Sequence, residues 1–248
     1  MSGHSKWATI KHKKGATDAK RAKVFAKLIR QVEVAAREGG ADPEMNPALR
    51  TMFQKARDQS VPLDTIEKAI KRGAGQLEGV AYESITYEGY ASGGVALLVD
   101  VLTDNRNRSG SDVRSVFTKR GGSVAEPGAV AWQFDRKGTM LVDGAVAEDD
   151  LMLAAIDAGA EDITREGEFW RVTTGPTDLH AVRTAVEEAG YKVEESDLTM
   201  VAQNLVTLDD KSAAKKVLDL VDALDDLDDV QAVHGNFDIT DDVLAELG

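Results

Sequence analysis

The chain is 248 residues long, 42% hydrophobic, and carries a formal net charge of −13. That length buries a sizeable core and predicts about two domains, or three small ones. The absence of cysteine excludes disulfides, thiolate zinc sites, iron–sulfur clusters and thiol catalysis, and no apolar run approaches the ~20 residues needed to span a bilayer. The expected location is the cytoplasm, with the basic N-terminus read as mature protein and not as a leader.

Charge is distributed very unevenly. Residues 1–30 hold nine cations (Lys6, Lys11, Lys13, Lys14, Lys20, Arg21, Lys23, Lys27 and Arg30) against Asp18 alone, a net of +8. Residues 1–75 hold 16 basic and 8 acidic side chains, and residues 76–248 hold 14 and 35, a net of −21. Self-repulsion opposes such a concentration of like charge, and phosphate backbones are the commonest anionic partner that offsets it. The polarity predicts a molecule that approaches nucleic acid by one end. The alternative is an arm that pairs with the acidic body.

Residues 1–16 mix Gly, Ser, His and Lys without periodicity. Thr17 or Asp18 is expected to cap a helix from Ala19 to Glu38, in which Val24, Phe25, Leu28, Ile29, Val32 and Ala36 recur at helical spacing and Lys20, Lys23, Lys27 and Arg30 lie opposite. Gly39 and Gly40 end it, and Asn46–Pro47 opens a second helix with Ala48, Leu49, Met52, Phe53 and Ala56 inward. Asp64 and Glu67 stand at capping-box spacing before a third helix that stops at Gly73.

Beyond Gly75 the period shortens. Strands are expected at 83–90 and 95–103, joined by a glycine turn, then a loop at 104–109, a helix at 111–119 and a strand at 129–134. From 139 to 199 the order is strand, helix, strand, strand, helix, strand, which is the ferredoxin-like arrangement. An acidic helix containing Val217, Leu218, Val221, Leu224 and Leu227 and a strand at 230–237 follow. The expected fold class is therefore α+β and multidomain: a basic helical domain with its arm at 1–76, a middle α/β domain formed by 77–136 with 203–248, and a ferredoxin-like domain at 137–202 inserted into it.

Several long motifs resemble one family. The segment GHSKW at Gly3–Trp7, IKHKK at Ile10–Lys14, DAKR at Asp18–Arg21, NPALR at Asn46–Arg50, IEKAIKRGAG at Ile66–Gly75, YEGY at Tyr87–Tyr90, GGVALLV at Gly93–Val99 and TDNRNR at Thr103–Arg108 are similar to the YebC/PmpR family along the whole chain. The resemblance implies a helical N-terminal domain followed by two α/β domains and a non-enzymatic role. It implies a transcriptional regulator that binds DNA, or, through relatives that activate mitochondrial translation, a ribosome-associated factor that contacts rRNA or tRNA and relieves stalled translation.

The candidate nucleic-acid-binding residues follow from position. Lys11, His12, Lys13 and Lys14 are dense enough to neutralise phosphates, together with Lys6. Trp7 lies between cations and reads either as a ring that stacks on unpaired bases or as an anchor that docks the arm. Lys20, Lys23, Lys27 and Arg30 form a stripe suited to following a backbone, while Arg21 falls nearer the apolar face and is expected to snorkel or bridge. Arg106 and Arg108, in the loop before a helix N-terminus, read either as a phosphate site or as part of a turn that merely satisfies its own backbone. The acids Asp225, Asp226, Asp228 and Asp229 read as a solvated helix end. His4 and His12 have no metal-ligand company, and no Walker loop, GxSxG, HExxH or dinucleotide motif occurs. No metal, cofactor, catalytic residue or membrane partner is expected, and the sequence leaves the oligomeric state open.

Overall fold

The computed structural model describes residues 18–247, with side-chain environments from residue 21 onward. Two compact units are present, one grouping Asp18–Gly79 with Arg136–Met200 and the other Val80–Asp135 with Val201–Gly248. Eight α-helices occur among the described residues.

The first three helices are α1 (Asp18–Gly39), α2 (Pro47–Asp58) and α3 (Leu63–Gly73). Leu28, Val32, Ala36, Leu49, Ala56, Ile66 and Ala69 meet in a common core. The buried Asn46 joins two helix ends: its Oδ1 accepts from Leu49 N at 3.0 Å, while Nδ2 donates to the carbonyls of Ala35 and Gly40, both at 2.8 Å. One side chain thus supplies partners that α1 lacks at its end and α2 lacks at its start. The capping box expected at Asp64–Glu67 does not form. Pro62 precedes α3, and its carbonyl accepts from Thr65 and Ile66, while Asp64 pairs with Lys68 at 2.7 Å.

Gly73 does more than end α3. A Cβ at this position would lie 2.2 Å from the Glu33 carbonyl oxygen and 2.8 Å from Ala36 Cβ, so its bare backbone lets α3 press against α1.

Next come β1 (Glu83–Tyr90), β2 (Ala96–Thr103), α4 (Arg106–Lys119) and β3 (Ser123–Val124). Strands β1 and β2 form an antiparallel hairpin that closes from Tyr90 to Ala96 across Ser92–Gly94. Of the segment 129–134, expected as a strand, residues 129–133 are instead a loop with a 3₁₀ turn at Ala131–Gln133, and Phe134 opens the following strand. The Glu88 carboxylate takes the amides of Gly128, Val130 and Ala131 that a ladder would have used.

The inserted segment runs β4 (Phe134–Asp143), α5 (Glu148–Ile156), β5 (Ala160–Glu166), β6 (Phe169–Thr174), α6 (Leu179–Glu188) and β7 (Val193–Ala202), with sheet order β5-β6-β4-β7. That order, with both helices packed beside one another, is the ferredoxin-like fold. Met140, Val142, Leu151, Trp170, Val172, Val182 and Val186 form its core.

The chain ends in β8 (Val206–Leu208), α7 (Lys211–Asp225), β9 (Val230–Gly235), β10 (Phe237–Ile239) and α8 (Asp241–Leu247). Strand β9 pairs antiparallel with β2, giving a sheet of order β3-β1-β2-β9. Phe117, Val217, Leu220 and Leu224 of α4 and α7 pack on Leu97, Val99 and Val233. Strands β8 and β10 form a separate parallel pair that the sequence pattern did not announce, as three residues are too few to display a period.

Candidate nucleic-acid interface

Among the candidate residues, Lys6, Trp7, Lys11, His12, Lys13 and Lys14 lie outside the described residues. Lys20 is placed within α1, where the basic positions recur at intervals of three and four. Lys23 is exposed and Lys27 and Arg30 are half-buried, while Leu28, Val32, Ala35 and Ala36 turn into the helical core. The helix therefore carries its cations away from the face that packs. Arg21 is separate from this row. Its guanidinium lies over the Phe25 ring at 5.5 Å, so it covers apolar surface while keeping its charge in water.

A buried carboxylate stands behind the stripe. Glu33, 4% exposed, receives Arg72 Nε at 2.9 Å and Arg37 Nη2 at 3.4 Å, tying α3 to α1. On the neighbouring face, Lys55 of α2 pairs with Asp197 of β7, and burial alone would lower its pKa, but the Asp197 carboxylate reverses that and the net shift is upward. Arg183 of α6 reaches Asp58 at 2.8 and 3.2 Å, Glu187 at 2.9 Å and the Ser196 hydroxyl. These cations hold the helical segment to the ferredoxin-like segment within one unit.

Arg106 and Arg108 are not in a loop. Helix α4 starts at Arg106, with Asn105 as its cap accepting from Arg108 N at 3.1 Å, so both arginines belong to the first turn. The helix starts early because Thr103 Oγ1 accepts from Asn105 N at 2.9 Å and sets the cap in place. The Arg106 side chain is exposed. The Arg108 guanidinium is held by Asp104 at 2.8 Å and Asp229 at 2.7 Å.

Asp229 is where sequence reading missed a structural centre. Its Oδ2 accepts from Ser109 Oγ at 2.7 Å and Thr103 Oγ1 at 3.1 Å as well as from Arg108. Burial pushes its carboxyl pKa up, the Arg108, Ser109 and Thr103 donors push it down, and the net is below the usual carboxylate range. Nothing in a run of four aspartates marks this one, since its partners lie 120 and more residues earlier.

A second carboxylate organises the loop after β3. Glu88 accepts from Gly128 and Val130 at 2.6 Å and Ala131 at 2.9 Å. Trp132 donates its indole N–H to the Ala129 carbonyl at 3.1 Å and remains 67% exposed. Among the described residues, no group of three or more His, Asp or Glu is placed to hold a metal ion, and no helix is long and apolar enough to cross a membrane.

A three-helix segment with a basic outer row, followed by a split α/β unit that hosts a ferredoxin-like insertion, defines an α+β multidomain protein. The chain belongs to the TACO1/YebC family: residues 5–76 match its N-terminal domain and residues 82–237 its second and third domains. A protein of Halothermothrix orenii named "Probable transcriptional regulatory protein" is 53% identical over 250 residues, covering 100% of this chain and 99% of the relative. One of the same name from Rubrobacter xylanophilus is 56% identical over 249 residues with the same coverage. The crystal structure of a conserved hypothetical protein from Aquifex aeolicus, 45% identical, superposes with a TM-score of 0.83 over 90% of this chain and 93% of that one.

Proposed function

We infer that this chain is a nucleic-acid-binding regulator of gene expression, acting in the cytoplasm as a DNA-binding transcriptional regulator through its cationic N-terminal third. The observation that carries the reading is the charge polarity, +8 over residues 1–30 against −21 over residues 76–248. The α1 row of Lys23, Lys27 and Arg30 on the side away from the helical core supports it, as do the names of the relatives. Phosphate contacts of this kind fix position and supply affinity without reading bases. The α/β units then contribute placement and partner contacts, and the protein works by binding and not by making or breaking bonds.

The same polarity favours a second reading, a ribosome-associated factor that inserts its cationic end among rRNA and tRNA while the acidic remainder is repelled from surrounding phosphate. Two measurements test these readings. Log affinity against log salt is expected to fall with a slope of roughly −0.9 per duplex phosphate neutralised, or about −0.7 for single strands, and a flat line defeats both. Crosslinking in cells, with DNA and RNA both sequenced, then separates them: promoters without rRNA support transcription, and rRNA or tRNA without promoters supports translation.

A further inference from the structure

Helix α5 presents an apolar ridge that its own fold leaves uncovered. Leu151 and Ala155 are fully buried against the sheet, whereas Met152, Leu153 and Ile156 are 42%, 75% and 43% exposed. Helical spacing puts those three on one outward face, where a helix packed on one side ordinarily carries polar residues. Carboxylates bracket the ridge: Glu148, Asp149 and Asp150 occupy the first turn, and Asp157 follows the last. At the amino end, the loop after β4 and the turn before β7 border an open cleft of ≈ 540 Å³ lined by Asp143, Val146, Asp150, Tyr191 and Lys192. Lys192 is paired with Glu194 at 2.7 Å.

The charge pattern eliminates three occupants. A bare helix N-terminus attracts phosphate, but three carboxylates in the first turn reverse the local field, so nucleic acid is repelled here. An anionic bilayer is repelled for the same reason. An α5-on-α5 contact with a second copy fares no better, because an antiparallel two-fold arrangement sets Asp149 opposite Asp157 and a parallel one sets each acid against its equivalent. What remains is a surface with apolar carbon to cover and negative charge to match.

The geometry points to α5 and the adjoining cleft as the docking site for a cationic amphipathic helix of a partner protein. Its apolar side chains cover Met152, Leu153 and Ile156, its lysines or arginines meet Asp149, Asp150 and Asp157, and one cation enters the cleft beside Tyr191 and Asp143. Apolar contact supplies the affinity and the carboxylates supply orientation and salt-dependent association.

The full-length protein is titrated into a fluorescent Leu/Lys amphipathic peptide of about 14 residues, or four helical turns. Saturable binding is expected, with no binding to the peptide whose lysines are replaced by glutamate. Leu153→Ser should weaken binding roughly tenfold while circular dichroism and nucleic-acid affinity stay unchanged. Asp149→Asn with Asp150→Asn should weaken it severalfold and flatten its salt dependence. Equal affinity of wild type and Leu153→Ser overturns the assignment. So does a wild-type dimer in sedimentation that Leu153→Ser dissolves, which would give the ridge to a second copy.

Discussion

The Glu88 carboxylate accepts the backbone N–H of Val130 at 2.6 Å, and with two neighbouring amides it ties β1 to the chain leaving the first sheet. Burial raises the Glu88 carboxyl pKa, but the three amide donors outweigh burial, so the net value lies below the ordinary carboxylate range. A carboxyl depressed on folding adds stability above its unfolded pKa, about 4.3 for Glu, and that contribution disappears as pH falls through the folded value. Glu88→Gln should therefore cost about 1–3 kcal/mol at pH 7. Urea unfolding at a series of pH values checks it: the wild type should lose more stability than the variant on going from pH 6 to pH 3, and parallel curves would contradict the assignment.

Arg183 and Asp58 form an enclosed ion pair between the helical and ferredoxin-like segments, with side chains 9% and 17% exposed. Removing one partner strands the other charge, so Asp58→Ala should destabilise by about 3–5 kcal/mol. Replacing both, as Asp58→Leu with Arg183→Met, should cost clearly less than the two single changes combined. A double-mutant cycle in denaturant measures this, and strict additivity would mean that the pair carries no coupling.

Gly73→Ala sets two effects of opposite sign against each other. Helix propensity favours alanine by about 1 kcal/mol. The added Cβ, however, would lie 2.2 Å from the backbone oxygen of Glu33, and overpacking of this kind costs typically about 1–3 kcal/mol or more. The net expectation is a lower melting temperature, and a variant as stable as wild type would show that α1 and α3 separate freely.

Lys11, Lys13 and Lys14 replaced together by alanine should reduce nucleic-acid affinity and flatten the log–log salt slope by up to roughly 2.7 on duplex DNA, at about 0.9 per phosphate. Folding stability should move by less than about 0.5 kcal/mol per site. An unchanged slope on DNA and on RNA would remove the arm from the interface.

Elements long enough to show a period were legible in the sequence. Asn46–Pro47 marked the start of α2, and the alternation from 139 to 199 carried the ferredoxin-like order because each helix there buries one stripe and each strand one row. The errors arose where a distant side chain decided local geometry. Val130, Trp132 and Phe134 alternate like a strand, but Glu88, some forty residues earlier, captures the amides. The early start of α4 and the role of Asp229 depend on Thr103, Ser109 and Arg108 meeting across the sheet, which no local spacing encodes. For the candidate interface, composition disclosed where cations concentrate. It did not disclose that Arg108, Lys55 and Arg183 are occupied by carboxylates of their own molecule.

Strands β4 and β7 lie side by side, and where they leave the insertion Gln203 N donates to Gln133 O at 2.8 Å. The two ends of roughly seventy residues are therefore already bridged by a backbone contact. A tight turn could splice them without pulling on the sheet that hosts them, which makes this junction a natural seam for evolutionary gain, loss or exchange of a whole module. The host fold would keep its four strands and both covering helices, and the excised piece would carry away a complete core of its own.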